Sequence, residues 1–364
     1  MIVKSINARS TLTTTKMLAG CLLVLNLLSL LSLYSSLHLA GEFKSGAILY
    51  RQIVWVVASW IFLIIFAIIN YRLYYDFGYI FYGFNILLLI AVFAFGSKAM
   101  GAQRWINFIG FKFQPSELCK IAAIFVFARL FSGDRRGPLL QFLLPLGLAS
   151  LMALLIFKQP DLGTSLIIVF LFFAIGISSK VSKRYFIALI LAGLIAAPFA
   201  WGMLKNYQRK RLVVFVNPDV DPLGAGYTII QSKIAIGSGR IFGKGFLSGT
   251  QNQFNFLPER HTDFIFTVVA EEWGFVGGLF LLIVYWLILY NILNIARSAK
   301  DDFARLLALG IGSLFFLHIF INIGMTLGIL PVVGLPLIFM SYGGSNLLIN
   351  FVLMGILINI SRQA

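Results

Sequence analysis

Apolar residues do not alternate with polar ones along this chain; they gather in ten long runs separated by polar segments. The runs fall near residues 17–39, 52–70, 77–96, 116–131, 139–157, 164–179, 185–203, 264–295, 306–328 and 346–361. A helix crossing a bilayer needs about 20 predominantly apolar residues, and backbone inside hydrocarbon must satisfy its own hydrogen bonds. Runs of this length therefore predict helices and exclude barrel strands of about 10 residues. The expected fold is an all-α polytopic membrane protein, a bundle of about ten transmembrane helices forming a single domain over 1–364. The first run follows Lys4, Arg9 and Lys16 as a signal peptide would, but it exceeds an h-region and further spans follow, so it reads as a retained helix. One polar segment, 204–263, is far longer than the rest and forms an outer loop between the seventh and eighth spans. No internal repeat suggests inverted halves, which weakens a secondary-transporter reading.

The composition agrees, with 60% hydrophobic residues and only 12% charged, a mean hydropathy of +0.93 and no resemblance to a soluble domain. Cys21 and Cys119 both sit in apolar runs, leaving neither a disulfide framework nor a thiolate metal cluster. The three histidines, His38, His261 and His318, are too far apart in sequence to suggest a zinc or haem site. The net charge of +16 acquires meaning only when mapped onto the membrane sides. With the N-terminus inside, the inner segments, Arg135 and Arg136 among them, hold 14 Lys and Arg. The short outer segments hold six: Lys44, Arg51, Lys98, Arg104, Lys112 and Lys158. Both termini are then cytoplasmic, and the basic excess implies the membrane rather than a nucleic acid. The basic residues of the 204–263 loop escape that rule, because long loops translocate regardless of charge.

Candidate chemistry follows from the thirteen carboxylates. Asp76, Asp134, Asp301 and Asp302 inside, and Glu42, Asp219 and Asp221 outside, read as solvated loop charge. Glu117, Asp161, Glu259, Asp263, Glu271 and Glu272 remain, all at or below the outer surface, where ionisable groups are costly and point to function. Gln114-Pro115-Ser116-Glu117-Leu118-Cys119-Lys120 opens the fourth span, with Ser116 a plausible N-cap and Glu117 and Lys120 on one face. They either neutralise each other between helices, or Lys120 meets a substrate anion while Glu117 positions it or helps to hold a metal. Asp161 opens the sixth span in the same layer, where an N-cap role alone would justify it.

The outer loop begins with Lys205, Arg209, Lys210 and Arg211, continues through an amphipathic stretch from Tyr227 to Ile236 that would suit a membrane surface, and reaches a glycine-rich run from Gly237 to Gly245. That run, with Arg240 and Lys244, suits either a flexible turn or phosphate contact, and fails the spacing of a nucleotide P-loop. Asp263 stands at the water boundary directly before the eighth span, where low-dielectric surroundings lift a carboxylate toward the range of a general base, or where it merely caps the helix. Glu271 lies two turns deeper on nearly the same face, and Glu272 points elsewhere. Between Gly328 and Asn346, the breakers Pro331, Gly334 and Pro336 precede Ser341-Tyr342-Gly343-Gly344-Ser345-Asn346, implying a re-entrant segment covered by protein or a polar cavity.

The stretches GAQRWINFIGFKFQPSELCK, KQPDLGTSL, NPDVDPLGAGYTIIQSKIAIGSG, GKGFLSGTQNQFNFLPERHTDFIFTVVAEEWG and GILPVVGLPLIFMSYGGSN resemble the SEDS family (shape, elongation, division, sporulation) over essentially the whole chain. QSKIAIGSG, GKGFLSGTQ and the short tails are more similar to its rod-shape branch than to its division branch. Arg240, where relatives commonly have Gly, and Asn346, where they often have Ser, depart from the pattern without removing a proposed catalytic group. The resemblance implies a peptidoglycan glycosyltransferase that polymerises lipid II at the outer face of the bacterial cytoplasmic membrane, the inner membrane. It implies that Asp263 matches the essential aspartate, and that Glu117, Lys120 and Asp161 match cavity residues. Arg104, Arg211 and Lys244 are candidates for binding the diphosphate, with room for a divalent cation, Mg or Mn, held by a carboxylate. Ser341 and Tyr342 would shape the site. The partners implied are lipid II, the undecaprenyl diphosphate-linked glycan, a class B penicillin-binding protein and the rod complex with its actin-like filament. A lipid II flippase, a division-type polymerase and a recruiting scaffold are the alternatives, and clustering of the unusual carboxylates toward the outer half favours an enzyme.

Overall fold

The computed structural model describes residues 2–38, 42–99, 102–108, 111–133, 137–203, 206–224, 226–254 and 256–363; Asp134, Arg135, Arg136 and Lys205 lie outside them. All ten apolar runs form helices: α1 (Ile2–Leu37), α2 (Glu42–Ile68), α3 (Arg72–Phe95), α4 (Pro115–Ser132), α5 (Pro138–Lys158), α6 (Leu162–Ile177) and α7 (Lys183–Met203), then, after three loop helices, α11 (Ile265–Ser298), α12 (Asp302–Thr326) and α13 (Gly344–Gln363). The loop helices are α8 (Asn206–Val216), α9 (Tyr227–Ser238) and α10 (Thr250–Gln253). Among the described residues, seven helices, α1, α2, α3, α5, α11, α12 and α13, are long and apolar enough to cross a bilayer. The chain is thus a multi-pass, all-α membrane protein.

Position in the bundle follows residue character. α4 is buried on nearly every side, and its polar residues Glu117 and Lys120 are enclosed by neighbouring helices rather than lipid. α12 and α13 are likewise largely buried, whereas α2, α3 and α5 turn large apolar side chains such as Ile68, Leu87 and Leu154 outward. α2 lies against α13, where Gly355 faces the Leu63 carbonyl closely enough to leave no room for a side chain.

Three local features differ from the hydropathy reading. Residues between α3 and α4 form a small antiparallel sheet, β1 (Ser97–Ala99), β2 (Ala102–Phe108) and β3 (Phe111–Phe113), with Ile106 opposite Phe113 and Asn107 opposite Lys112. α9 does not simply lie on the membrane. Ile229, Ser232 and Ala235 are buried against α11 and α12, and the Ser232 hydroxyl donates to the Thr326 carbonyl at 2.5 Å. α11 is broken at Gly274, with φ 67° and ψ −159°, a conformation that L side chains do not tolerate.

The glycine-rich run explains how that break is accommodated. Lys244 N and Gly245 N donate to the Glu271 and Glu272 carbonyls, at 3.0 and 2.9 Å, and Phe275 N and Val276 N donate back to Arg240 O and Ile241 O, at 2.9 and 3.1 Å. Residues 240–245 thus replace the hydrogen bonds a straight α11 would make with itself. Gly239 and Gly243 lie so close to the α11 backbone that a Cβ would overlap Ala270 O and Glu272 O. Of the two readings of the run, a turn or a phosphate contact, the turn is the one seen: Lys244 N and Gly245 N are taken up by this splice, and Gly239 N, Arg240 N and Gly243 N bond within the run and the end of α9.

Candidate active site

The segment between α12 and α13, residues 327–343, has irregular backbone at the end of the bundle where α4, α6 and α11 begin. Leu337 O is met within the segment by Met340 N and Ser341 N, at 3.2 and 2.9 Å, while five other carbonyls are met by side chains from around it. His318 Nδ1 lies 3.2 Å from Pro336 O, Asn322 Nδ2 2.6 Å from Leu335 O, Arg211 Nη1 3.2 Å from Val332 O and Tyr285 Oη 2.7 Å from Ile338 O. The Ser29 hydroxyl reaches Met340 O at 2.5 Å. The breakers read in the sequence therefore form an irregular segment, buried from Leu337 to Ser341 and gripped by α1, α8, α11 and α12.

That segment places Asp263. Ser341 Oγ donates to Thr262 O at 2.5 Å while accepting from Leu337 N at 2.8 Å, and Tyr342 N donates to His261 O at 2.9 Å. The His261 and Tyr342 rings meet edge to face, with centroids 6.0 Å apart. Gly334 has φ +73°, and a Cβ there would stand 3.3 Å from Asp263 Oδ2, so the aspartate carboxylate lies against bare backbone. Asp263 does not cap α11: that position belongs to Phe264, which makes no side-chain cap. The carboxylate is partly buried. Burial, together with nearby Glu259, lifts its pKa from 3.8 to about 6, while Arg211 acts in the opposite sense. Burial also pushes His261 and Arg260 down, and the Arg260 guanidinium is held by the Ser36 carbonyl at 2.9 Å.

The other residues singled out by sequence form two supporting clusters. Lys120 is only 1% exposed, and its ammonium is shared between Glu117 Oε1 at 2.8 Å and His318 Nε2 at 3.2 Å. Glu117 Oε2 accepts from Asn346 at 2.9 Å, and Asn346 accepts from Asn350 at 2.9 Å. Because His318 faces a carbonyl through Nδ1, that nitrogen carries the proton and Nε2 accepts from Lys120. Lys120 and Glu117 therefore form a neutralised pair buried between α4, α12 and α13. Asp161 caps α6 through Thr164 N at 3.2 Å and also accepts from Thr164 Oγ1, Gln114 Nε2 and Ser116 Oγ. Ser116 does not cap α4, whose N-cap is Gln114. Arg104 lies 3.7 Å from Asp161 and bonds the carbonyls of Gln159 and Pro160. Its side chain keeps 28% exposure, and Arg211 is exposed.

Lys244 lies in a third cluster, where it is engaged by α11. It pairs with Glu271 at 2.8 Å, a carboxylate with no exposed surface that also accepts from Gln251 N at 3.0 Å. Glu272 accepts from the Ser35 hydroxyl. Both glutamates brace the kinked α11 against the loop and α1, and a buried carboxylate needs such partners. Among the described residues no three His, Cys, Asp or Glu side chains gather to hold a metal ion. Sequence reading missed His318, Asn322 and Asn350 as members of the site. Their signal was i, i+4 polar spacing within apolar helices: His318 with Asn322, and Asn346 with Asn350.

Comparisons with known proteins agree with this architecture. Residues 15–364 match the FtsW/RodA/SpoVE family model, described as a cell cycle protein. The chain is 42% identical over 344 residues to the peptidoglycan glycosyltransferase MrdB of Escherichia coli, covering 93% of this chain and 92% of that one. It is 32% identical over 419 residues to the peptidoglycan glycosyltransferase RodA of Treponema pallidum, covering 94% and 96%. A solved chain from work described as the structural coordination of polymerization and crosslinking by a peptidoglycan synthase complex superposes with a TM-score of 0.80 at 28% identity, covering 96% of this chain and 97% of that one. The rod shape determining protein RodA of Thermus thermophilus superposes at 0.72 with 27% identity, covering 95% and 96%.

Proposed function

We infer that this chain, which belongs to the FtsW/RodA/SpoVE family and is a peptidoglycan glycosyltransferase, polymerises lipid II during cell elongation with Asp263 as the general base. The observation that carries the base assignment is the placement of Asp263: partly buried, free of a capping role, beside Gly334, with its pKa lifted to about 6. Such a carboxylate is mostly ionised at neutral pH yet more basic than an ordinary aspartate.

A glycosyl diphosphate is already a good leaving group, so the reaction needs a base and positive charge rather than a strong acid. The GlcNAc 4-hydroxyl of lipid II attacks the anomeric carbon of the growing chain. Asp263 takes the hydroxyl proton, the new glycosidic bond forms with inversion, and the anomeric carbon–oxygen bond breaks with its electron pair leaving on undecaprenyl diphosphate. Arg211, exposed and electrostatically coupled to Asp263, and Arg104, partly exposed beside Asp161, supply charge for the diphosphate. Glu117, Lys120, Asp161, Ser341 and Tyr342 hold the walls around it. Among the described residues no three His, Cys, Asp or Glu side chains gather to hold a divalent cation, and no step above is routed through one.

The excess of Lys and Arg in the inner loops supports cytoplasmic termini and a site at the outer face of the bacterial inner membrane. The similarity to a chain of a complex that coordinates polymerization with crosslinking supports a crosslinking partner; that partner is a class B penicillin-binding protein, within a rod complex organised by an actin-like filament. The test is a gel assay of glycan strands made from lipid II by the purified chain with its class B partner. Polymer from the wild type that vanishes in Asp263→Asn supports the reading. Full polymerisation by Asp263→Asn removes the base assignment, and no polymer from a folded, partner-bound wild type favours a flippase.

A further inference from the structure

Asn322 is fully buried in α12, and its single amide nitrogen donates to two backbone carbonyls, Asp263 O at 2.8 Å and Leu335 O at 2.6 Å. Only the NH2 group can meet two carbonyls, so chemistry fixes the orientation of the amide. Each carbonyl needs an outside donor. Thr267 N, which a regular α11 would direct to Asp263 O, instead bonds Phe264 O at 3.0 Å, and no side chain caps this helix start. Leu335 O belongs to the irregular segment between Pro331 and Pro336, where proline removes backbone donors. The Leu335 carbonyl is one residue from Gly334, the glycine that faces the Asp263 carboxylate.

We propose that Asn322 is a positioning residue for glycosyl transfer: its amide ties the backbone of Asp263 to the irregular segment and thereby fixes where the carboxylate stands. The proposal rests on Asp263 being the base and extends that reading to a group that touches neither sugar nor diphosphate. His318 acts one turn away on the same face of α12, gripping Pro336 O and anchored in turn by Lys120. Two side chains of one rigid helix thus hold two consecutive carbonyls of the segment, and only Asn322 also holds the aspartate. Displacing a reacting group by about 1 Å costs on the order of 100-fold in rate, so a bond that sets this distance acts on turnover rather than on substrate affinity.

The experiment uses the full chain with its class B partner and compares lipid II polymerisation kinetics in the wild type, Asn322→Leu, Asn322→Ser and Asp263→Asn. Leucine keeps the volume and loses the donor; serine keeps one donor and folds without burying a bulkier group. The expected result is kcat reduced about 10- to 100-fold in Asn322→Leu and less in Asn322→Ser, with KM for lipid II within about threefold of wild type. A purely structural role predicts instead a lower thermal midpoint and yield with unchanged kcat per folded, partner-bound molecule, and that outcome overturns the proposal. The premise is read separately: inactive Asp263→Asn beside fully active Asn322→Leu refutes the positioning role alone, whereas active Asp263→Asn refutes the base on which it rests.

Discussion

Replacing Asp263 by Asn should stabilise the folded protein at neutral pH while abolishing polymerisation. In the folded chain the carboxyl keeps its proton up to about pH 6, whereas an ordinary aspartate releases it near 3.8. Stability from this group is therefore fully present below pH 3.8 and is lost as pH rises through 6, because ionisation is harder in the folded state than in the unfolded one. A pKa difference of one between the folded and unfolded chain corresponds to about 1.36 kcal/mol, which sets a ceiling of roughly 3 kcal/mol; partial exposure of the side chain lowers the expected effect to about 1–2 kcal/mol. Asparagine keeps the size and polarity of the group and cannot ionise, so the variant recovers that cost at pH 7.5 and gains steadily less as pH falls from 6 to 4. The assay is the thermal midpoint of detergent-solubilised wild type and Asp263→Asn between pH 4 and 8, with glycan synthesis measured on the same preparations. A variant no more stable than wild type at pH 7.5, or a gain as large at pH 4 as at pH 8, would refute the low-dielectric placement of the carboxylate.

Polymerisation by the wild type should fall about tenfold per pH unit below pH 6. Because Arg211 opposes the upward shift, Arg211→Gln should move that acid limb to higher pH and lower turnover; an unmoved limb in the pH–rate profile would separate Arg211 from the aspartate. Gly334→Ala should cost about 1–2 kcal/mol of backbone strain at φ +73° and set a methyl 3.3 Å from Asp263 Oδ2, reducing activity more than stability, as glycan gels and thermal midpoints would show. Lys244→Ala leaves the fully buried Glu271 without its cation and should lower stability by about 1–3 kcal/mol, below the full cost of breaking a buried pair because Lys244 is partly exposed. Adding Glu271→Gln should restore most of that loss in the thermal midpoint, while persistence of the defect would assign Lys244 another role.

The class of fold and the layer in which polar chemistry is concentrated were legible in the order of residues alone. Ten apolar runs too long for barrel strands had to become helices, since hydrocarbon offers their backbone no other partner. Carboxylates such as Asp161 and Asp263, set where those runs begin, had to be compensated or functional. Which polar residues meet depends on how the helices pack. Hydropathy cannot show that the glycine run 239–245 splices a broken α11, because the demand arises from Gly274, some thirty residues away. Nor can it show that Lys120 is enclosed by Glu117 and His318, or that Asn322 joins Asp263 to Leu335. Those partners are brought together by helix packing, and a hydrogen bond depends on ångström-scale geometry that periodicity along one chain does not encode.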